Sequence, residues 1–215
     1  EQARPLVFTG LEKGFADVLA CYPAAVFTIE SDRDNFDYVY LAEHLISLSG
    51  RKLHSKKNHL NAFHKANPQA QYLPITADII PACRMELESW YALRIQDEPD
   101  DPFIGWERKA IMEIFDDYSY FGLQGGAILL DGRIIAFTFG EQLNENTAVV
   151  HVEKADPNIR GAYPAINQAY VSSCWQDMMY INREEDMGHD GLRKAKESYK
   201  PEKLIEKFNA QLIES

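Results

Sequence analysis

A loop between a strand and a helix carries the first residues whose types suggest chemistry. The sequence predicts a strand that ends at Lys154 and a helix that begins at Ala162. A helix N-terminus presents backbone N–H groups without intrahelical acceptors, together with the positive end of the helix dipole. We therefore interpret Arg160 and the N–H groups of Gly161 and Ala162 as an anion cradle of the kind that binds phosphate. An ordinary helix start with a glycine turn explains the same residues equally well.

A second candidate is a dense polar cluster at the end of a predicted strand. Residues 182–186 are five consecutive polar residues that follow the apolar positions of a strand predicted over Met179 to Arg183. Such a density of polar groups does not suit a buried strand end. We expect the cluster either to face solvent or to line a site.

Residues 44–77 are basic although the chain is acidic. They contain no Asp or Glu, whereas the chain's 33 acidic residues would place about five there by chance. We interpret this stretch as a surface for a phosphate, a carboxylate or a tRNA end, and a solvated helix face is the alternative. Its histidines are not expected to hold a metal, because no pair has i,i+4 spacing and no carboxylate is nearby in sequence. The basic and histidine residues of this stretch include Arg51, Lys52, Lys56, Lys57, Lys65, His54, His59 and His64.

Composition limits the class of protein. The formal net charge is -11 and 46% of the residues are hydrophobic, which predicts a soluble acidic globule and argues against general coating of nucleic acid. No apolar run is long enough for a transmembrane segment. The three cysteines, Cys21, Cys83 and Cys174, are too widely spaced for a disulfide framework, so a cytoplasmic location is expected. Because the chain does not open with Met, we expect additional sequence before residue 1.

The elements that must position these residues mix helices with strands. Asp131-Gly132 predicts a tight hairpin turn, since such turns need positive φ angles. Asn67-Pro68 is the best candidate linker, and the acidic run 97–102 is expected to be a solvated loop. The order favours a mixed α/β fold. Periodicity predicts helices over 34–49, 56–65, 78–97, 105–118, 162–178 and 192–199, and strands over 71–74, 126–130, 133–140, 148–154 and 179–183.

Two segments resemble the GNAT-fold N-acyltransferases. Residues 152–165 are similar to that family's fourth strand and pyrophosphate loop, which holds the phosphates of the acyl donor. Residues 195–199 resemble the segment whose tyrosine protonates the departing thiolate, which implies Tyr199 as general acid, although packing of its ring on Pro201 is an alternative. Tyr163 and Ala165 stand where acetyl-CoA enzymes usually carry glycines. The resemblance thus leaves acyl-CoA and aminoacyl-tRNA as donor substrates, with no cofactor tightly bound.

A second resemblance covers most of the chain. Residues 48–63, 151–156, 181–188 and 192–201 are similar to uncharacterised bacterial proteins related to the C-terminal domain of phosphatidylglycerol lysyltransferase. That kinship implies a tandem GNAT-like architecture, as in the Fem aminoacyltransferases. Residues 1–68 would be the C-terminal part of an incomplete first unit, and residues 69–215 a second unit that carries the site.

The two resemblances together imply an acyl- or aminoacyltransferase. The acceptor would be an amine or hydroxyl group, such as a lipid head group, and Glu153 or Glu184 would act as base or ammonium binder. The alternative is a non-catalytic GNAT-fold module that binds an anionic metabolite or an aminoacyl-tRNA end. The residues expected to bind substrate are Lys56, Asn58, Asn61, Asn182, Arg183, Asp186, Arg193 and Lys196.

Overall fold

The computed structural model describes residues 6–97 and 102–214. The chain divides into two compact units, Glu1–Tyr40 with Asn182–Ser215 (unit 1) and Leu41–Ile181 (unit 2). The division predicted at residue 68 concerns GNAT-like repeats and stays a prediction. The elements, in chain order, are β1 (Val7–Glu12), α1 (Lys13–Ala20), β2 (Val26–Ser31), β3 (Asp37–Leu41), α2 (Ala42–Ser47), α3 (His54–Ala66), β4 (Gln71–Pro74), α4 (Ile80–Asp97), α5 (Pro102–Asp116), α6 (Tyr118–Phe121), β5 (Gln124–Leu130), β6 (Arg133–Asn144), β7 (Thr147–Ala155), α7 (Ala162–Cys174), β8 (Tyr180–Asn182), α8 (Asp190–Glu197), β9 (Lys203–Ile205) and β10 (Lys207–Glu214).

Unit 1 is built from both ends of the chain. The last strand, β10, lies between β1 and β2 and is antiparallel to both. Ala210, which is fully buried, pairs with Phe8 on one side and Ile29 on the other. In the same unit, β3 pairs with β9 in antiparallel register.

Unit 2 contains a sheet with the strand order β4-β5-β6-β7-β8. The pairs from β4 to β7 are antiparallel. The amides of Met179 and Tyr180 both donate to the Asn146 carbonyl, so β8 begins beside the beginning of β7 and runs parallel to it. Helix α7 makes the crossover between these parallel strands, as parallel pairs require. The sheet is therefore mixed, with both antiparallel and parallel pairs.

The core of unit 2 explains why β6 is apolar without alternation. Residues 134–140 of β6 are all buried, and both α4 and α7 contact this strand. Phe137 stacks on Trp90 of α4 with ring centroids 5.8 Å apart, and Phe115 of α5 lies 5.4 Å from Phe137. A strand that is covered on both faces has a continuous run of hydrophobic residues in its sequence.

Several predicted elements are confirmed. The hairpin turns at Asp131 and Gly132, which have φ angles of 50° and 81°. Helix α3 contains the predicted helix 56–65, and α7 begins at the predicted Ala162. Residues 98–101 of the acidic run lie outside the described residues. Within the part of the chain that the structure describes, no helix is both long enough and apolar enough to cross a membrane.

The helix predicted over residues 34–49 is wrong. This segment contains the strand β3, followed by the six-residue helix α2. Tyr38, Val39 and Tyr40 are all buried, so both faces of the strand are covered and no alternation marks it in the sequence. A continuous apolar run of this length fits a helix and a buried strand alike.

Candidate functional site

A carboxylate near the end of β7 is fixed by a buried amide. Glu153 lies opposite Thr138 of β6 and is half-buried. Asn167, which is fully buried in α7, donates from Nδ2 to Glu153 Oε2 over 2.8 Å. Since α7 follows β7 after a short loop, chain order alone brings this helix face to the strand. The hydrogen bond restricts the orientation of the Glu153 carboxylate.

The neighbouring residue, Lys154, belongs to a second polar group. Its Nζ lies 2.6 Å from Glu107 Oε1, and the hydroxyl of Tyr91 donates to Glu107 Oε2 over 2.7 Å. Burial lowers the pKa of Lys154, although Glu107 counteracts this. Burial acts to raise the pKa of Glu107, but the Lys154 charge and the hydrogen bonds prevail and lower it. The pair is therefore ionic, with the Lys154 side chain 17% exposed and that of Glu107 36% exposed.

Tyr163, in the first turn of α7, completes the cluster. Tyr163 is 45% exposed, but partial burial of its hydroxyl and then the negative charge of Glu153 raise the pKa of that hydroxyl, which stays protonated at neutral pH. Carboxylate, ammonium and phenol groups together offer a base, a cation and a hydrogen-bond donor, which are the groups that acyl transfer uses. We call these six residues the β7–α7 cluster: Tyr91, Glu107, Glu153, Lys154, Tyr163 and Asn167.

The predicted anion cradle lies at the start of α7, and its amides are partly engaged. Gly161 is the N-cap residue with φ 85°, and the Ala162 amide donates to the Ile159 carbonyl over 3.2 Å. Pro164, in the same turn, has no N–H to offer. Arg160 is exposed, whereas Ala162 is buried. Donor binding by Arg160, Gly161 and Ala162 stays a prediction.

Close packing on α3 accounts for glycine at position 161. A Cβ there would lie 2.7 Å from the His59 carbonyl oxygen and 3.0 Å from Cβ of Phe63. The same contact places Arg160 beside α3. Of the three residues on α3 expected to bind substrate, Lys56 is half-buried, while Asn58 and Asn61 are exposed. Their role stays a prediction.

Most other predicted substrate-binding residues meet in unit 1, around Asp186. Its fully buried carboxylate accepts hydrogen bonds from the Tyr38 hydroxyl at 2.6 Å, from Arg193 Nε at 2.8 Å and from the Gly188 amide at 2.9 Å. Burial acts to raise the pKa of Asp186, but the hydrogen bonds from Arg193, Tyr38 and Gly188 prevail and hold it well below its usual range. Arg33 adds a longer contact, with its Nη1 lying 3.3 Å from Asp186 Oδ2.

The polar cluster 182–186 also builds its own loop. The buried Lys196 ammonium donates to the carbonyls of Arg183, Glu184 and Glu185, the last two at 3.0 and 2.5 Å. Asn182 is buried as well, and its Oδ1 accepts from the Glu184 amide over 2.8 Å. The sequence predicted that this cluster either faces solvent or lines a site. The structure shows a third arrangement, in which polar side chains hold an irregular backbone by satisfying its hydrogen bonds.

Tyr199, the predicted acid, is buried in unit 1. Its ring packs edge-on against Tyr40, with centroids 6.4 Å apart, and the Arg183 guanidinium lies 4.8 Å from the ring centroid. Two of the predicted catalytic residues, Glu184 and Tyr199, therefore lie in unit 1, whereas Glu153 lies in unit 2. The catalytic roles of all three stay predictions.

Of the six residues of the β7–α7 cluster, the sequence indicated only Glu153 as a site residue. Tyr91 and Glu107 are distant from Glu153 in sequence, and no local pattern links them to it. Asn167 did leave a signal, because it is a polar residue on a helix face that otherwise buries apolar side chains. A buried polar residue on such a face needs a hydrogen-bond partner, which makes it a candidate site residue.

Comparison with known proteins decides the family. The family described as "Phosphatidylglycerol lysyltransferase, C-terminal" matches residues 1–211. The chain belongs to this family. Among curated proteins, an uncharacterised protein of Mycoplasmoides gallisepticum is 27% identical over 82% of this chain. The chain spans 56% of that relative's length.

Solved structures agree with the family. A conserved protein of unknown function from Bacteroides thetaiotaomicron is 39% identical to our chain. The TM-score is 0.89, and the match covers 98% of our chain and 70% of the Bacteroides chain. L-PGS from Bacillus licheniformis has a TM-score of 0.62 at 12% identity, over 96% and 67% of the two chains. A tandem GNAT protein from the clavulanic acid pathway has a TM-score of 0.50 at 9% identity, over 98% and 62%. These two likenesses confirm the predicted tandem GNAT-type fold.

Proposed function

We propose that this lysyltransferase-family chain moves an activated acyl or aminoacyl group onto an amine or hydroxyl acceptor. The observation that carries the proposal is the Glu153 carboxylate, held by Asn167 at 2.8 Å on the strand that leads into α7. A carboxylate with a fixed orientation is suited to remove a proton from an attacking nucleophile. The family assignment supports a transfer reaction at this fold.

The chemistry follows from the groups of the β7–α7 cluster. Glu153 takes the proton of the acceptor amine or hydroxyl as its nitrogen or oxygen attacks the acyl carbon. The protonated Tyr163 hydroxyl and the Lys154 charge favour the negative oxygen of the tetrahedral intermediate. The bond to the leaving group then breaks, and that group takes up a proton. Tyr199, the acid that the resemblance implied, is buried in unit 1, and Tyr199→Phe tests that role separately.

An aminoacyl-tRNA donor fits the start of α7 better than acyl-CoA. A pyrophosphate cradle needs several available amides, but the Ala162 amide donates to Ile159 and Pro164 has none. The exposed cations of α3 suit a longer polyanion. The family name describes lysyl transfer to phosphatidylglycerol, which makes a lipid head group the first acceptor to test. A tRNA donor also favours a cytoplasmic location.

Glu153→Gln tests the proposal directly. We expect turnover of aminoacyl-tRNA with phosphatidylglycerol vesicles or small amines to fall at least about 100-fold, because a general base typically contributes that much. Glu145→Gln, in the exposed turn between β6 and β7, is the matched control and should keep full activity. Equal turnover in both variants would remove Glu153 from the mechanism. Donor binding without turnover by the unaltered chain would favour the non-catalytic binding module instead.

A further inference from the structure

Asn167 has one polar atom that makes no hydrogen bond with the described residues. The residue is fully buried, and its Nδ2 is committed to Glu153. Its Oδ1 is also buried, and it has no hydrogen-bond partner among the residues that the structure describes. Buried side-chain oxygens in folded proteins nearly always have a donor. An oxygen without one, next to a carboxylate, points to a ligand that supplies N–H or O–H groups.

The orientation of the amide is fixed by its neighbour. If the Asn167 amide were reversed, Oδ1 would face the Glu153 carboxylate, and two acceptors would repel each other. The hydrogen bond from Nδ2 therefore leaves Oδ1 as the atom in need of a donor. Lys154 does not fill this role, because no described residue donates to Asn167 Oδ1 and the Lys154 ammonium is paired with Glu107 at 2.6 Å.

The chemistry of the two acceptors selects the ligand class. Glu153 supplies negative charge and Asn167 a neutral carbonyl oxygen, a combination that suits a primary ammonium group with its three N–H donors. A metal ion is a poorer fit, since the described residues contain no group of three His, Cys, Asp or Glu side chains placed to hold one.

We propose that Asn167 and Glu153 together bind a primary ammonium group of the substrate, with Asn167 Oδ1 and the Glu153 carboxylate each accepting an N–H. This inference rests on the proposed transferase function only for the identity of the substrate. The ammonium group belongs either to the aminoacyl donor or to an amine acceptor. Asn167 is then a specificity residue, which selects substrates that carry a free amine.

Binding measurements test this without any turnover. Titration calorimetry with L-alaninamide and N-acetyl-L-alaninamide represents the donor, and ethanolamine with ethylene glycol represents the acceptor. We expect the amine of at least one pair to bind about tenfold more tightly than its uncharged partner. The pair that shows this preference identifies the source of the ammonium group. No preference in either pair overturns the inference.

Two substitutions assign the preference to Asn167. Asn167→Leu keeps a similar volume without the acceptor and should abolish the preference. Asn167→Gln keeps both the amide donor and the carbonyl acceptor and should retain it. Gln168→Leu, at the next position of α7, is the control and should behave like the unaltered chain. If Asn167→Leu does not fold, loss of the preference in Asn167→Gln, with Gln168→Leu unaffected, still contradicts the role of the amide oxygen.

The outcomes separate this inference from the proposed function. Selective amine binding without turnover would support the ammonium site and contradict the transferase. Turnover without any amine preference would support the transferase and overturn the ammonium site.

Discussion

At the scale of single residues, the two units use hydrogen-bonded carboxylates in different ways. Asp186 in unit 1 is surrounded by donors from within its own unit, whereas Glu153 in unit 2 belongs to the cluster that we propose for transfer. The sequence placed both among candidate site residues because composition does not show which donors surround a carboxylate. Tyr38 and Arg33, which help to satisfy Asp186, lie about 150 positions earlier and gave no local signal.

Asp186→Asn should strongly destabilise the chain. It removes the charge that accepts hydrogen bonds from Arg193, Tyr38 and Gly188, and loss of a hydrogen bond to a charged group costs about 2 kcal/mol. Urea denaturation would measure the free energy of unfolding. Asp17→Asn, which removes an exposed pair with Lys13, should cost less than about 1 kcal/mol. Similar losses in both variants would contradict a supporting role for Asp186.

The Asp186 carboxylate should also make the free energy of unfolding depend on pH. Because the folded-state pKa of Asp186 is below its unfolded value, its contribution is fully present above about pH 4 and is lost as pH falls toward the folded value. The stability of the unaltered chain should therefore fall more steeply below pH 4 than that of Asp186→Asn. Parallel curves would show that the pKa is not lowered.

At the scale of elements, strong local patterns were readable and buried strands were not. The β5–β6 hairpin and helix α3 follow from turn residues and helical periodicity, and both are confirmed. Strand β3 was mistaken for a helix because both of its faces are covered. The start of α7 was read as an anion cradle from its glycine, but contact with α3 also requires that glycine, and only tertiary structure reveals this contact.

Gly161→Ala tests that packing. The new Cβ would meet the His59 carbonyl oxygen at 2.7 Å on a residue with φ 85°, so we expect a loss of about 2 kcal/mol. Gly191→Ala in α8 is the control, because its Cβ meets nothing within 4 Å and alanine favours a helix. The control should be neutral or slightly stabilising in thermal unfolding. A neutral Gly161→Ala would contradict the close contact between α7 and α3.

At the scale of the whole molecule, charge is unevenly distributed along the chain. The net charge of -11 opposes general binding of polyanions, yet residues 44–77 contain no acid. Family membership and the tandem GNAT-type fold were predictable from the sequence because long segments resemble known relatives. The β7–α7 cluster was only partly predictable, since it joins residues from four elements.

Neutralising the basic surface around α3 tests donor binding at this scale. We expect the triple variant Lys52→Gln, Lys57→Gln, Lys65→Gln to bind tRNA more weakly. The salt dependence of binding should also fall, by about 0.9 in the log–log slope for each phosphate that the protein no longer neutralises. Three exposed lysines elsewhere, changed together as Lys13→Gln, Lys109→Gln and Lys194→Gln, are the control for net charge. Equal weakening in both triple variants would indicate a nonspecific charge effect.

The antiparallel pairing of β1 with β10 has a mechanical consequence. Val7 lies opposite Gln211, so the outer ends of the first and last strands are neighbours at one edge of the pair. A force that pulls these ends apart acts across the hydrogen bonds in sequence and breaks them one after another. Tension applied between the beginning of β1 and the end of β10 would therefore separate the two strands one hydrogen bond at a time, at low force.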